Sequence, residues 1–356
     1  MDDEHEKRLG ATAQKPIRLG LRTYDVSGHS EADPYFRSIA NGSETGLYRL
    51  LVKNLQRDAV ALDIGANIGI TSLVLSQVLD HGRVYSFEPG ARNFALLQKN
   101  LAANGVTNVV PAAAAMADTV GTLRFAENSA YGGMVSGYRD VANGSYEVPR
   151  TTVDTFVRET DLSRLDLMKV DVEGQERLVL DGAAGTIKRF NPYIYLEFNV
   201  WTLLAYGAQN PLKFLEELVQ SFDTVAVVDP TFGEQHPVVR SQVKDVVHSL
   251  MMTGGCVCDL LLVADASQPR DTDPVAPGMA QLLSEAGELA MIQREEMLAQ
   301  RDALLQERDA IAAERDRLLA SPSWRVTAPM RRLSRQVRGI RTRRTGRDTS
   351  RGPARA

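Results

Sequence analysis

The stretch DIGANIG at residues 63–69 decides how this chain is expected to fold. It follows an apolar run at 60–64 that predicts a buried strand, and it precedes a helical pattern at 70–79. Glycines between a strand and a helix let the backbone approach a ligand at the carboxyl edge of a parallel sheet. The alternative is an ordinary turn whose glycines only cap the helix. The stretch predicts the first strand–helix unit of an α/β domain.

Strand and helix patterns alternate beyond this turn. Further strands are predicted at 83–87, 109–110, 122–125, 165–170, 193–196, 224–228 and 257–263. Further helices are predicted at 91–104, 175–189 and 212–222, and Gly105 suits the end of the first of them. Such alternation favours βαβ units. We therefore predict an α/β fold with a doubly wound, Rossmann-like, mostly parallel seven-stranded sheet at 17–266, after a disordered N-terminus at 1–16.

The spacing of the glycine turn is D-x-G-x-x-x-G. It differs from the G-x-G-x-x-G spacing that binds a pyrophosphate. S-adenosylmethionine has no phosphate, and its cationic amino and sulfonium groups favour a nearby carboxylate such as Asp63. The predicted cofactor-binding residues of this turn are Asp63, Gly65, Ala66, Asn67 and Gly69.

Two acidic residues follow the next strands. Glu88 ends the second strand, where an acid about 20 residues beyond the glycine turn can hold both ribose hydroxyls. That role fits NAD and adenosylmethionine equally. Asp118 follows the third strand and is predicted to accept the adenine amino group, with an ordinary turn residue as the alternative.

A second acidic group marks the predicted reaction centre. Asp171 ends the fourth strand, Glu173 lies in the turn after it, and Glu197 ends the fifth strand. An acid that ends an apolar strand costs desolvation unless it has a partner, so these carboxylates are candidates to orient an acceptor hydroxyl and take its proton. One of them could instead hold the cofactor's amino group or a divalent cation. Glu176 is interpreted as a helix-capping carboxylate. No metal site is predicted.

Together these motifs resemble a known family. The blocks are LDIGANIG (62–69), FEP (87–89), ADTVGTLRF (117–125), TTVDTF (151–156), LMKVDVEGQERLVLDGA (167–183) and IYLEFN (194–199). They are similar to the FkbM-type methyltransferases. The resemblance implies a class I methyltransferase that methylates an oxygen of a secondary metabolite or a sugar. It also implies that the turn at 63–69 lines the cofactor, that Glu88 holds its ribose, and that Asp171 and Glu173 lie at the reaction centre.

Composition limits the setting of the protein. The chain has 356 residues, only two cysteines and a polar N-terminus, so an intracellular protein without a secretory signal is expected. No apolar run approaches the roughly 20 residues that a membrane span needs. The net charge of −4 divides unevenly, because residues 321–356 carry eleven Arg and one Asp and leave −14 for the rest. A basic tail on an acidic body predicts an anionic partner for the tail.

The C-terminal third is predicted to lie outside the α/β domain. A Pro- and Asp-rich linker at 267–278 precedes a helix at 279–320 that repeats every seven residues, from REEMLAQ at 294–300 to RDRLLAS at 315–321. This helix is predicted to form a coiled coil that joins copies of the chain, with a solvated or partner-bound helix as the alternative. The tail at 321–356 resembles extensions of bacterial surface-polysaccharide enzymes and is predicted to bind an anionic membrane surface. A protein partner such as a glycosyltransferase, disorder and nucleic acid are the alternatives.

These features favour an O-methyltransferase that acts on a glycan hydroxyl, cytoplasmic and peripheral on the inner face of the membrane. Trp201 and Tyr206 either stack on the sugar ring or pack as core. The alternatives are an O-methyltransferase of a secondary metabolite, an NAD-dependent oxidoreductase, a nucleic-acid methyltransferase and a non-catalytic coiled-coil scaffold. The missing G-x-G-x-x-G argues against the oxidoreductase, and the negative body argues against nucleic acid.

Overall fold

A computed structural model describes residues 13–128, 131–134, 145–253 and 255–268. The chain separates into two units, Met1–Ala290 and Met291–Ala356, and every described residue belongs to the first. The linker, the heptad helix and the basic tail that the sequence predicts at 267–356 fall almost entirely outside the described residues. No helix in the described ranges is long and apolar enough to cross a membrane.

The domain begins with a hairpin that the sequence patterns did not predict. Its strands β1 (Ala13–Leu19) and β2 (Arg22–Gly28) are antiparallel, and α1 (Pro34–Ser38) and α2 (Thr45–Asn54) follow. Residues 13–16 were expected to be disordered, but they pair with residues 25–28 of β2. This correction has a physical cause: Ala13, Ile17 and Leu19 bury their side chains against the core, which ties the terminus down.

Most of the remaining elements alternate between strand and helix as the sequence predicted, but five described strands follow one another between residues 109 and 151. The strands are β3 (Val60–Ile64), β4 (Arg83–Phe87), β5 (Val109–Ala112), β6 (Ala115–Met116), β7 (Gly121–Asn128), β8 (Tyr131–Met134), β9 (Ser145–Thr151), β10 (Leu167–Val170), β11 (Tyr193–Asn199), β12 (Thr224–Val228), β13 (Gln235–Pro237) and β14 (Val257–Val263). The helices are α3 (Ile70–Val78), α4 (Ala91–Ala103), α5 (Val153–Glu159), α6 (Glu176–Asp181), α7 (Ala184–Phe190), α8 (Val200–Ala205), α9 (Pro211–Ser221) and α10 (Val243–Thr253).

The central sheet has eight strands in the order β13-β12-β14-β11-β10-β3-β4-β5. The strands from β11 to β5 are parallel, and β14 lies antiparallel to both β11 and β12. The order reverses beside β3, which is the doubly wound arrangement that the sequence predicted. The predicted count of seven is corrected to eight because the short strand β13 pairs with β12 at the edge. A separate four-stranded sheet has the order β6-β9-β7-β8, and β7 corresponds to the extra strand predicted at 122–125.

Both faces of the central sheet are covered, as a parallel sheet requires. Alternate residues of β3 enter two different cores, since Ala61 joins one buried cluster and Leu62 joins the other. The first cluster contains the hairpin, α2, α3 and α4, and the second contains α5, α8, α9 and α10. This layering leaves the carboxyl edge of the parallel strands accessible.

Two helix ends show how local residues set the elements. Gly105 has φ +64°, its N–H donates to Ala102 O at 3.1 Å, and Val106 N donates to Leu101 O at 3.0 Å, so the predicted glycine cap of α4 is confirmed. The single helix predicted at 175–189 is instead two helices, α6 and α7. Gly182 O accepts from Asp154 N at 3.0 Å, and the Asp154 carboxylate accepts from Gly185 N and Thr186 N at 2.9 and 2.7 Å, so Asp154 caps the start of α7 as a separate helix.

Candidate active site

A cleft of about 830 Å³ lies at the carboxyl edge of the parallel strands. Because the sheet runs from β5 and β4 through β3 and β10 to β11 and β14, the turns after these strands form successive parts of the cleft. The lining residues on the β4 and β5 side include Gly65, Ala66, Asn67, Glu88, Ala115, Met116 and Ala117. Those on the β11 and β14 side include Tyr35, Glu44, Lys169, Asp171, Glu173, Glu197, Trp201, Tyr206 and Val257.

The glycine turn is fixed by its backbone. Gly65 has φ +83°, and a Cβ there would lie 1.7 Å from the carbonyl oxygen of Asp171. The N–H groups of Gly65 and Ala66 donate to Phe87 O at 3.0 and 2.9 Å, which locks the turn against the end of β4. Only glycine fits this position, because any side chain would meet the backbone that leaves β10. The turn therefore presents bare backbone to the cleft.

Glu88 is held beside this turn. Its carboxylate accepts hydrogen bonds from Asn67 N at 2.9 Å and Gly90 N at 2.8 Å, one on each oxygen. The residue is 5% exposed and lines the cleft. Two backbone amides thus hold this carboxylate in one orientation at the lining of the cleft. The structure brings Glu88, Asn67 and Ala66 together as the sequence predicted.

Asp63 lies behind the turn, outside the lining of the cleft. Its side chain is fully buried, and Ser72 Oγ donates to its Oδ2 at 2.6 Å. Burial raises the pKa of the Asp63 carboxyl, while the amine of Lys169 works against that rise. The Lys169 Nζ lies 3.6 Å from Asp63 Oδ1. Asp63 therefore contributes to the site indirectly, through its ion pair with Lys169.

Lys169 joins the turn to the predicted reaction centre. Its Nζ donates to Gly65 O at 3.1 Å and to Asp171 Oδ2 at 3.3 Å, and its side chain is 8% exposed. Burial disfavours the charged amine, but Asp171 and Asp63 outweigh burial, so the pKa of Lys169 is raised. A permanently protonated lysine fixes the orientation of Asp171. The sequence contained this residue in the KVDVEG block, yet its pattern assigned it no role.

Asp171 and Glu197 meet a third carboxylate that the sequence analysis missed. Glu197 pairs directly with Asp259 in the antiparallel register of β11 and β14, and such residues have Cβ atoms about 5 Å apart. Burial raises the pKa of Glu197 well above its ordinary value, and Asp171 adds to the rise. Burial also raises the pKa of Asp259, to about 6, although a hydrogen bond from Tyr195 opposes this. Burial and the neighbouring carboxyls therefore both favour the protonated form of Glu197. Asp259 had a detectable signal, as an acid inside a predicted apolar strand.

The N-terminal segment supplies a further wall, which no sequence pattern indicated. Tyr35 of α1 and Glu44, which precedes α2, both line the cleft. Lys15 Nζ donates to the carbonyl oxygens of Phe36 and Ile39, both at 2.6 Å, and so clamps this segment. Glu44 has the left-handed φ of +62°. Burial raises its pKa to about 7, with Asp259 adding to the rise.

The turn after β10 carries Glu173 into the cleft. Glu173 has φ +56°, and the following Gly174 has φ +92° with room for no side chain, since a Cβ would lie 2.4 Å from Thr202 O. Glu176 holds this turn from within, because its Oε1 accepts from Val172 N at 3.2 Å and Gly174 N at 3.0 Å. Burial raises the pKa of Glu176 to about 7. Glu176 therefore braces the turn that positions Glu173.

Besides Asp63, two further predicted cofactor residues lie apart from the cleft. The Asp118 side chain is exposed and accepts from Thr119 Oγ1 at 3.3 Å, whereas the neighbouring Ala117 lines the cleft. Gly69 precedes α3 with φ +97°, and a Cβ there would lie 2.7 Å from Leu97 Cδ1. Gly69 is needed for helix packing beneath the site, and Asp118 points to solvent.

Trp201 and Tyr206 form an aromatic pair at the side of the cleft. Their ring centroids are 4.9 Å apart in an edge-to-face arrangement, and Trp201 is 54% exposed. This exposure favours the predicted stacking role over the core alternative. Cys256 and Cys258 are both free and partly buried. Within the described ranges, no three His, Cys, Asp or Glu residues are grouped as metal ligands would be.

Comparison with known proteins identifies the chemistry of this arrangement. Residues 63–218 match the model of the Methyltransferase FkbM domain. The resemblance inferred from the sequence motifs is thus confirmed, and the chain is a methyltransferase. This result argues against the alternatives of an NAD-dependent oxidoreductase and a non-catalytic scaffold.

Individual relatives are more distant. The chain is 28% identical to 2-O-methyltransferase NoeI of Sinorhizobium fredii, over 52% of this chain and 81% of the relative. It is 27% identical to hexuronic acid methyltransferase AglP of Haloferax volcanii, over 42% of this chain and 59% of the relative. The crystal structure of Methyltransferase FkbM from Methylobacillus flagellatus is 14% identical with a TM-score of 0.35, over 58% of this chain and 44% of that one.

Proposed function

We propose that this chain, a methyltransferase with an FkbM domain, uses S-adenosylmethionine to methylate a hydroxyl group of a sugar. The observation that carries the proposal is the cleft itself. It combines a bare glycine turn and an oriented glutamate on one side with a buried lysine–carboxylate cluster on the other. An O-methyltransferase needs a nucleotide-binding half and an acid–base half within reach of each other.

The residues on the β4 and β5 side fit the cofactor. The Gly65 turn leaves no space for a side chain, so a ligand can approach its backbone closely. The oriented carboxylate of Glu88 suits the two ribose hydroxyls as hydrogen-bond donors. The apolar stretch 115–117 lines the same side of the cleft and suits the adenine ring of the cofactor. Bound adenosylmethionine supplies an electrophilic methyl group at the sulfonium, so the protein has only to position and deprotonate the acceptor.

The residues on the β11 side fit an acceptor hydroxyl. Asp171 is paired with Lys169 and half-buried, so it is a carboxylate held in one orientation and available to take a proton. Burial raises the pKa of Glu197, which favours a protonated carboxyl that can donate a hydrogen bond to the acceptor. Glu173 lies on the braced turn between them and is the third candidate contact.

A sugar is the acceptor class that the relatives support. AglP is named for a hexuronic acid, and NoeI for methylation of a 2-hydroxyl. The exposed Trp201 at the cleft adds a surface of the kind that packs against a sugar ring. A hydroxyl of a secondary metabolite is the second candidate, favoured by the breadth that the family resemblance implies.

The proposal extends to the C-terminal segments outside the described residues. A heptad helix at 279–320 would join copies of the chain, and the basic tail at 321–356 would bind an anionic membrane surface or a glycosyltransferase. The protein would then act in the cytoplasm, peripheral on the membrane.

Calorimetric titration of adenosylmethionine and NAD into the full chain tests the cofactor. We expect binding of adenosylmethionine only, and at least about tenfold weaker binding by Glu88→Ala because the ribose acceptors are lost. Glu159→Ala, which removes an exposed acid at the end of α5, is the matched control and should bind normally. Asp118→Ala tests the adenine contact separately, and its solvent-facing side chain predicts unchanged affinity. Binding of NAD alone, or of neither compound, would contradict the proposal.

A further inference from the structure

We infer that the β11 side of the cleft is a sugar subsite that stacks the acceptor ring on Trp201 and selects a sugar without an anionic group. This inference rests on the proposed function and specifies its substrate class. It depends on two independent features of the described residues, an exposed indole in contact with a second aromatic ring and a group of carboxyls that line the same cleft.

The indole of Trp201 is exposed although it borders the cleft. Its backbone N–H donates to Asn199 Oδ1 at 3.1 Å, which starts α8 at this point. The edge-to-face contact with Tyr206, at an interplanar angle of 84°, leaves the indole ring supported by a second aromatic. A flat, rigid apolar face of this kind suits the C–H face of a pyranose ring and loses little conformational entropy when it binds.

The platform is fixed relative to the predicted reaction centre. A Cβ at Gly207, just after α8, would lie 2.2 Å from Gly174 O, so the backbone here touches the turn that carries Glu173. Gln175 Nε2 also donates to Tyr206 O at 3.0 Å. A sugar stacked on Trp201 would therefore be held at a defined position relative to Glu173 and Asp171.

The wall beside the platform carries an excess of negative charge. Glu44 and Asp171 line the cleft, and the carboxyls of Asp171 and Asp259 lie close enough to Glu44 to act on it electrostatically. The charge of Lys169 is already matched by its contacts with Asp63 and Asp171. Sugar hydroxyls can donate hydrogen bonds to these carboxylates. A uronate, sulfate or phosphate on the ring would instead meet like charges at short range.

Fluorescence of a single tryptophan tests this subsite directly. The chain has two tryptophans, so Trp324→Phe leaves Trp201 as the only emitter in the full-length protein. The variant is saturated with adenosylhomocysteine at pH 8, with calorimetry to verify that binding. It is then titrated with matched methyl glycosides and methyl uronosides of the gluco, galacto and manno series.

We expect the neutral member of at least one pair to change the Trp201 emission and to bind at least about tenfold more tightly than its uronate. Asp259→Asn should reduce this difference in affinity between the neutral sugar and its uronate, because it removes one like charge from the group of carboxyls. Equal or tighter binding of the uronates would overturn the inference. Unchanged emission with every sugar, while adenosylhomocysteine binds, would overturn it without affecting the cofactor assignment. Failure of adenosylhomocysteine to bind would overturn the proposed function and this inference together.

A second measurement separates stacking from general stability. Trp201→Ala is expected to weaken binding of the preferred sugar at least about tenfold, by ligand-observed NMR. Leu204→Ala on the same helix is the matched control, because Leu204 is 52% exposed but does not line the cleft. It should change affinity less than about twofold. Equal losses in the two variants would show that Trp201 is not a platform.

Discussion

The two sides of the cleft are built in different ways. The proposed cofactor side is made mostly of backbone, from a turn whose glycine touches the Asp171 carbonyl and from Glu88 oriented by two amides. The proposed acceptor side is made of side chains that come from distant segments, with Glu44 near the N-terminus and Asp259 of β14 beside it. A ligand common to many enzymes can be recognised by a continuous motif. A particular acceptor requires residues that only the folded chain brings together.

Gly65→Ala should have the largest effect, because it changes the turn that forms the cofactor side of the cleft. The new Cβ would overlap the Asp171 carbonyl at a left-handed φ, so we expect loss of cofactor binding and about 3 kcal/mol less free energy of unfolding. Gly105→Ala is the matched control, with φ +64° and no atom within 4 Å of the new Cβ. It should cost about 1 kcal/mol and leave binding intact. Denaturant unfolding and calorimetry measure both quantities, and similar losses in the two variants would refute the role of the close contact.

Asp171→Asn should impair catalysis on the acceptor side of the cleft, which is built from side chains, and should leave cofactor binding intact. Removing the proton acceptor is expected to lower kcat roughly 10²- to 10⁴-fold with unchanged affinity for adenosylmethionine. Glu197→Gln provides the comparison, because Gln resembles the protonated form that burial favours at Glu197. It should lower kcat by less than about tenfold. Steady-state kinetics beside calorimetry distinguishes them, and the reverse order of effects would assign the base to Glu197.

A smaller effect should appear in the pH dependence of stability. The pKa of Glu44 is raised by burial from 4.5 to about 7, so the folded state binds a proton that the unfolded state releases. Its stabilising contribution is complete below about pH 4.5 and is lost as the pH rises to about 7. Glu44→Gln should remove this pH-dependent loss of stability. We expect a loss of about 1 kcal/mol in the free energy of unfolding, because the side chain is half-buried and partly screened by solvent. Unfolding midpoints measured from pH 4.5 to 8 check it, and an unchanged pH profile would show that Glu44 titrates normally.

The same contrast explains what the sequence could predict. The glycine turn, Glu88, Asp171 and Glu197 were found because strand ends and turn residues follow one another along the chain. Lys169 was invisible as a site residue, since a lysine inside an apolar strand shows its function only when two buried carboxylates flank it. Asp118 illustrates the opposite kind of error. It was predicted to contact the cofactor, but its side chain is exposed, because a loop position near the cleft does not determine where the side chain points.

Fold prediction had a similar limit. The alternating pattern predicted the parallel core, but β13 has three residues, too few for a periodic signal. The hairpin was missed because its charged residues alternate with the buried ones only in part. The break after α6 accompanies hydrogen bonds that join Gly182, Gly185 and Thr186 to Asp154, which is distant in sequence.

The clamp that Lys15 places on the segment after the hairpin has a consequence for how this protein could diversify. Tyr35 and Glu44 line the proposed acceptor side, and Asp259 interacts with Glu44; all three lie outside the 63–218 range that matches the family domain. Recombination or drift in these flanking segments could exchange one acceptor for another and leave the cofactor turn untouched. A chimera that grafts the clamped segment 13–54 and strand β14 from a relative would then be a direct route to a new substrate range.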